Sequence, residues 1–209
     1  MRMKPPVLHS KRHAVKREND RNMERLDTEV YTYRSAFVDE ISDKISISDK
    51  YLAYAKGQLM NLVNAEDILH LKKGAQVMCI ANISMDGQQQ IVNGSQGVVA
   101  GFTETRLPLV AFKNGLVVPL GPHTWPSEDL KGLSLTQIPL ILSWAITIHK
   151  SQGITLEEAI IDAGPDVFEC GQTYVALSRV KTLEGISLID LDPRSIRANT
   201  KVQAYYASL

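Results

Sequence analysis

The sequence predicts an α/β protein with a mostly parallel sheet, interrupted by a small all-β module over residues 84–138. Three observations carry this prediction. After Pro139, short apolar runs alternate with helical patterns, the order that builds parallel sheets. Between 84 and 138, β-branched runs are separated by Asn93-Gly94, Asn114-Gly115 and several Pro or Gly breaks, and Asn-Gly between apolar runs is the strongest short hairpin signal. Finally, 209 residues at 44% hydrophobic and 22% charged suffice for one sizeable core and an inserted module. The boundaries fall near 83 and 139, so that 1–83 and 139–209 form one discontinuous domain around the insert.

Taken in order, Val7-Leu8-His9 reads as a short strand, and Ser10 suits the N-cap of the helix after it. That helix turns Ala14, Val15, Met23 and Leu26 inward and Lys11, Arg12, Lys16, Arg17, Arg21 and Arg25 outward; the charge pattern is that of a solvated face. Val30 to Ser35 alternates as a half-exposed strand does. From Asp39 to Leu69 the pattern is weak and predicts only loops and short helices. Ala36-Phe37-Val38-Asp39-Glu40 resembles a strand ending in metal-binding carboxylates, but the apolar run is too short and no phosphate loop precedes it. Lys72-Lys73-Gly74 is a turn before the strand Val77 to Ala81. Leu140 to Ala145 is a nearly continuous apolar run, as in a strand covered on both faces. A helix over Thr147 to Gln152 stops at Gly153. Ala159 to Asp162 is a strand, Gln172 to Arg179 a helix, and Ile186 to Leu191 a strand. Val202, Tyr205, Tyr206 and Leu209 share one helical face that should dock as a closing helix.

Zero formal net charge argues against a protein that coats nucleic acid by bulk charge, but not against a local groove that grips one strand. Cys79 and Cys170 lack zinc-site or disulfide spacing, which suits a reducing compartment. No apolar run reaches the length of a membrane span, and the opening residues do not read as a signal peptide. The expectation is an intracellular protein without a membrane partner and without a visible targeting segment.

His149-Lys150-Ser151-Gln152-Gly153 places a cation, a hydroxyl and an amide just beyond a buried strand, where ligands of open α/β sheets bind. Lys150 and Ser151 could donate to phosphate oxygens, and Gln152 could donate and accept. Singly, each would be an ordinary capping or solvated residue. Arg179 ends the helix that opens at Gln172, and a guanidinium held there could stabilise charge on a transferring phosphoryl group. Alone it would be an ordinary helix-end arginine. The chain contains no G-x-x-x-x-G-K-[ST] phosphate loop, the cradle that nucleotide hydrolysis of this class needs. The sequence thus reads as part of an enzyme.

Ser143 to Thr155 and Gln172 to Arg179 resemble motifs V and VI of superfamily-one helicases, and their wording is similar to the Pif family (petite integration frequency) of 5′-to-3′ DNA helicases, in its C-terminal portion only. Leu71 to Met78 followed by Val92 to Val99 is similar to the strand and turn entering that family's inserted β-barrel. Val7 to Leu26, including Asn19, resembles more loosely the opening of its second RecA-like domain, and Asp190 to Pro193 with Tyr205-Tyr206 fit its ending. The resemblance implies a second RecA-like domain carrying a small barrel insert. Arg179 would be the arginine finger, with Gln152 and Gly153 lining the ATP cleft. Thr147, His149, Lys150, Ser151 and Asn93 would contact single-stranded DNA. ATP and Mg2+ are implied as cofactors, although most of their ligands belong to a first RecA-like domain that would be a necessary partner. DNA replication, repair, recombination or telomere maintenance are the implied settings. Without Walker A and B residues the chain is not expected to be an autonomous ATPase.

A second interpretation is a degenerate helicase domain that binds nucleic acid or a partner without catalysis. The intact Arg179 tells against it, since a binding module has no evident use for a γ-phosphate sensor. A metabolic α/β enzyme has little support, as no nucleophile and base pair or metal-ligand cluster is evident.

Overall fold

The computed structural model describes residues 3–40, 47–84 and 90–208. The chain divides into two compact units, one of Met1–Arg25 with Leu142–Leu209 and one of Leu26–Ile141.

In the first unit, four strands form a sheet in the order Ala145–Thr147, Val7–His9, Ala159–Ala163, Ile186–Leu191, and every pairing is parallel. Leu8, Ile146 and Ile161 are buried in its centre. The helix Arg12–Glu24 follows the first strand, but Ser10 does not cap it: Lys11 holds the N-cap position, and the Ser10 hydroxyl donates to the Asp166 carbonyl at 2.8 Å. Ala14, Asn19 and Asn22 are the helix's buried residues, whereas Val15 and Met23 are half-buried and the basic residues Arg12, Lys16, Arg17 and Arg21 face water.

Asn19 is buried for a reason. Val7 N–H donates to the Trp144 carbonyl at 2.9 Å, and alternation along a strand turns the next residue's backbone groups the other way. The open side of Ala145 is therefore met by Asn19, whose Nδ2 donates to the Ala145 carbonyl at 3.0 Å and whose Oδ1 accepts from the Ala145 amide at 2.9 Å. One side chain takes both backbone groups that a neighbouring strand would otherwise bond.

Several expectations change. The helix expected over Thr147 to Gln152 is a series of hydrogen-bonded turns. The helix Gln172–Leu177 ends before Arg179. The apolar run 140–145 is two strands rather than one, Leu140–Leu142 in a five-stranded sheet and Ala145–Thr147 in the parallel one; burial alone makes both halves apolar and says nothing of where the chain breaks. The helix Thr200–Ala207 buries none of its residues, so Val202, Tyr205 and Tyr206 do not dock; Leu209 lies outside the described residues.

The strands of the second unit pair antiparallel along its hairpins, as the all-β module expected over 84–138 does, but so do strands at 30–39 and 68–79 that the sequence assigned to the mostly parallel domain. The unit's five-stranded sheet runs Val117–Pro119, Pro108–Phe112, Gln96–Phe102, Gln76–Cys79, Leu140–Leu142, with antiparallel pairing along the hairpins. Asn114-Gly115 closes one of them, Gly115 in the left-handed region at φ 89°. Beside it lie a three-stranded sheet of His123–Pro126, Leu133–Gln137 and Ala36–Asp39, and the two-stranded pairs Val30–Arg34 with Ile68–Lys72 and Ile83–Ser84 with Gln90–Ile91. Ala36–Asp39 is thus an antiparallel edge strand. The position 83 boundary falls inside this unit. Segments on both sides of it are joined through Gln137, whose Nε2 donates to the Glu66 carbonyl at 2.9 Å and whose Oε1 accepts from the Ile138 amide at 2.8 Å.

The 15-residue helix Asp49–Val63 was not anticipated, and residues 41–46 of that weakly patterned stretch lie outside the described ones. Ser48 caps the helix by accepting from the Tyr51 amide, and Asn64 ends it in the left-handed conformation. Only Ala55 and Leu59 are buried, so its apolar stripe is too narrow to stand out as a period.

Gly97 admits no side chain: a Cβ there would sit 2.7 Å from Val110 Cγ1 and 2.8 Å from the Ala111 carbonyl. Gly97→Ala is expected to cost about 1–3 kcal/mol by forcing the strands apart, read as a lowered urea midpoint. An unchanged midpoint would mean that the hairpin gives freely.

Candidate functional site

The carboxyl ends of the parallel strands bring His9, Thr147 and Ala163 to one rim, where open α/β sheets meet ligands. From Thr147 the chain turns at once. The Ser151 amide donates to the Thr147 carbonyl at 3.0 Å, Gln152 to His149 at 3.1 Å and Ile154 to Ser151 at 3.0 Å. Gly153 closes the turn at φ 80°, a region that side-chain-bearing residues rarely enter.

The hydroxyls of the turn face inward. Thr147 Oγ1 accepts from the Lys150 amide at 3.1 Å, and the fully buried Ser151 donates to the Ile148 carbonyl at 2.7 Å. They brace the backbone that carries His149 and Lys150. Gln152 and Gly153 are exposed, His149 is exposed and Lys150 half-buried. His149 Nε2 lies 3.0 Å from Glu169 Oε2, and its ring centroid is 6.4 Å from that of Phe168.

Arg179 follows the helix Gln172–Leu177, half-buried. Its Nε donates to the Val175 carbonyl at 3.0 Å and its Nη2 to Ser178 Oγ at 2.9 Å, two of the five N–H donors of a guanidinium. The Leu156 amide donates to the Arg179 carbonyl at 2.8 Å and Lys181 returns a bond to Leu156 at 3.0 Å. The segment after Gly153 is thereby stitched to the end of the arginine helix, while His149 meets the loop before it. The two motif segments, about twenty residues apart in the sequence, are thus linked through Leu156 with Arg179 and through His149 with Glu169. Asn93 belongs to the other unit, in a turn where its amide donates to Asn82 Oδ1 at 2.9 Å.

Three carboxylates escaped the sequence reading. Asp162 pairs with His9 at 2.9 Å, Asp166 with Lys11 at 2.5 Å, and Glu169 with His149. The Lys11 ammonium's hydrogen bond holds the Asp166 carboxyl below its usual range, with His13 and Arg17 adding to the effect. No local spacing announces pairs separated by 153 and 155 residues.

The rim is open. One concavity lies along the helix face of His13, Lys16, Arg17 and Arg21, and another at the amino ends of the strands around Pro5, Glu158 and Ser187; neither contains the turn. Among the described residues, no group of three or more His, Cys, Asp or Glu could hold a metal ion, and no helix is long and apolar enough to cross a membrane.

Comparison with known proteins adds a family signal. Residues 59–102 match the model described as DNA helicase Pif1, 2B domain. The ATP-dependent DNA helicase PIF1 of Xenopus laevis is 37% identical over 196 residues, covering 90% of this chain and 28% of that protein. The crystal structure of the Pif1 helicase from Candida albicans superposes with a TM-score of 0.73 at 30% identity, over 99% of this chain and 50% of that one. The Pif1 helicase from Bacteroides, in complex with ADP-AlF3 and single-stranded DNA, gives a TM-score of 0.62 at 28% identity, over 98% and 46% respectively. The chain spans half or less of each.

Proposed function

Since this chain belongs to the Pif1 helicase family, of whose members it carries one portion, we propose that it supplies the arginine finger and part of the single-stranded DNA grip of an ATP-dependent 5′-to-3′ DNA helicase. In this reading the parallel-sheet unit is the second RecA-like domain and the antiparallel unit contains the barrel-like insert. The carrying observation is that the chain on either side of these residues is tied together, Leu156 just beyond the turn to the Arg179 backbone and His149 to Glu169 in the loop before the arginine helix, which would give a phosphate sensor and a strand-binding turn a common support.

A first RecA-like domain, in the same or another chain, would hold most of the nucleotide and its magnesium. ATP supplies the phosphoryl group whose transfer drives the motor. Arg179 and the exposed Gln152 would meet its phosphate end, where a guanidinium can stabilise developing charge. His149 and Lys150 would meet DNA phosphates, contacts that need donors rather than base-specific shapes. Asn93, in the other unit, would make a contact of its own with single-stranded DNA. Such work would belong where DNA is, in the nucleus or mitochondrion if the source is eukaryotic, with replication, repair, recombination or telomere maintenance as its settings.

The test is phosphate release from ATP by the 209-residue chain, alone and with a first helicase domain supplied, with and without single-stranded DNA. The expected result is no turnover alone and DNA-stimulated turnover in combination. DNA-dependent turnover by the chain alone would overturn the half-motor reading. Lys150→Ala is expected to weaken binding of labelled single-stranded DNA evenly across sequences and to flatten the plot of log K against log salt by about 0.7, one phosphate's share. Unchanged affinity would remove Lys150 from the channel.

A further inference from the structure

The rim at the carboxyl ends of the parallel strands already holds anions of its own. The connection from Asp162 to Glu169 runs along the carboxyl ends of the strands and sends three carboxylates back to it, onto His9, Lys11 and His149. The pairs differ in setting. His9 and Asp162 side chains are only 15% and 25% exposed, so that pair anchors the root of the loop. The outer two are open to water, with Lys11 and Asp166 at 38% and 56% and His149 and Glu169 at 56% and 54%. The Ser10 hydroxyl also holds the Asp166 carbonyl, fixing the loop beside Lys11.

Resting on the reading that this rim grips single-stranded DNA, we propose that Asp166 and Glu169 are internal counter-ions that DNA phosphates displace from Lys11 and His149. A carboxylate and a phosphate oxygen compete for the same N–H donors. An exposed ion pair is weakly held, because water solvates both partners as they separate. Displacement is therefore easy, yet each exchange costs part of the affinity that a bare donor would give, and the released carboxylate remains close enough to repel the strand. The loop thus sets how tightly the rim holds DNA and lets the strand leave between steps. It also adds Lys11, which the motif turn does not contain, to the grip.

The experiment measures binding of a labelled oligothymidylate to the 209-residue chain across a salt series, by fluorescence anisotropy. Asp166→Asn and Glu169→Gln keep size and hydrogen-bonding ability while removing charge. Each is expected to tighten binding about threefold and the double variant about tenfold, as befits exposed pairs. The salt plot of the double variant should steepen by about 0.7, because freed Lys11 then neutralises a phosphate without first releasing a carboxylate. Glu169→Asp, which keeps the charge, should not tighten binding, and thermal midpoints confirm that each variant is folded. Unchanged or weaker binding by the double variant, with Lys150→Ala still weakening the wild-type interaction, overturns the counter-ion proposal alone. If Lys150→Ala binds as wild type does, or if neither wild type nor double variant binds, the DNA-gripping reading falls with it.

Discussion

Arg179→Ala, in an assembly that includes a first helicase domain, is expected to lower DNA-stimulated ATP turnover about 10³- to 10⁵-fold, the range over which an arginine finger acts. The loss should fall on kcat, because the guanidinium meets charge that develops only as the phosphoryl group transfers. Arg179→Lys should recover little, since an ammonium lacks the planar fork and cannot keep the Val175 and Ser178 bonds while reaching outward. DNA affinity without nucleotide should stay within about twofold of wild type, as Arg179 is assigned to the ATP side and not to the phosphate contacts of the strand. Turnover at the wild-type rate in Arg179→Ala would remove the arginine-finger role while leaving family membership untouched.

Asn19→Ala is expected to be the most damaging substitution for stability, at about 2–4 kcal/mol, because it strands both the amide and the carbonyl of Ala145 at a buried position. Ala145 is fully buried and Asn19 is 8% exposed, so water cannot readily replace the lost amide. Among the described residues the strand Ala145–Thr147 is at the sheet edge with the Val7–His9 strand as its one partner strand, and it leads directly into the candidate site. Urea unfolding should show the loss as a lower midpoint, and hydrogen exchange should show it first at the Ala145 amide. Asn19→Asp should also destabilise, since it keeps the acceptor for the Ala145 amide but offers no donor to the carbonyl. A midpoint within experimental scatter of wild type for Asn19→Ala would mean that the edge strand reorganises at no cost.

The sequence was most legible where chemistry is local. The strand Val7–His9, the strands Ala159–Ala163 and Ile186–Leu191, and the Asn114-Gly115 hairpin follow from apolar runs and turn residues adjacent in the chain. The motif segments around His149 and Arg179 were likewise visible as words, because the residue types and their spacing are the signal. The same local logic misled at Thr147–Gln152, where helix-compatible residues make only turns. Thr147 and Ser151 spend their hydroxyls on that backbone, which competes with continued helix.

What the sequence by itself determined was several of the strands, the family wording and the candidate residues whose donors suit a phosphate. Only the tertiary structure decided how they are joined. It split the run 140–145 between two sheets, drew residues before position 83 into the antiparallel unit, left Tyr205 and Tyr206 in solvent, and set Asp166 and Glu169 on the donors of the rim. The physical reason is that propensity and periodicity act over a few neighbouring residues. Strand order, edge completion by a side chain such as Asn19, and pairing between distant charges depend on which surfaces meet once the chain has folded.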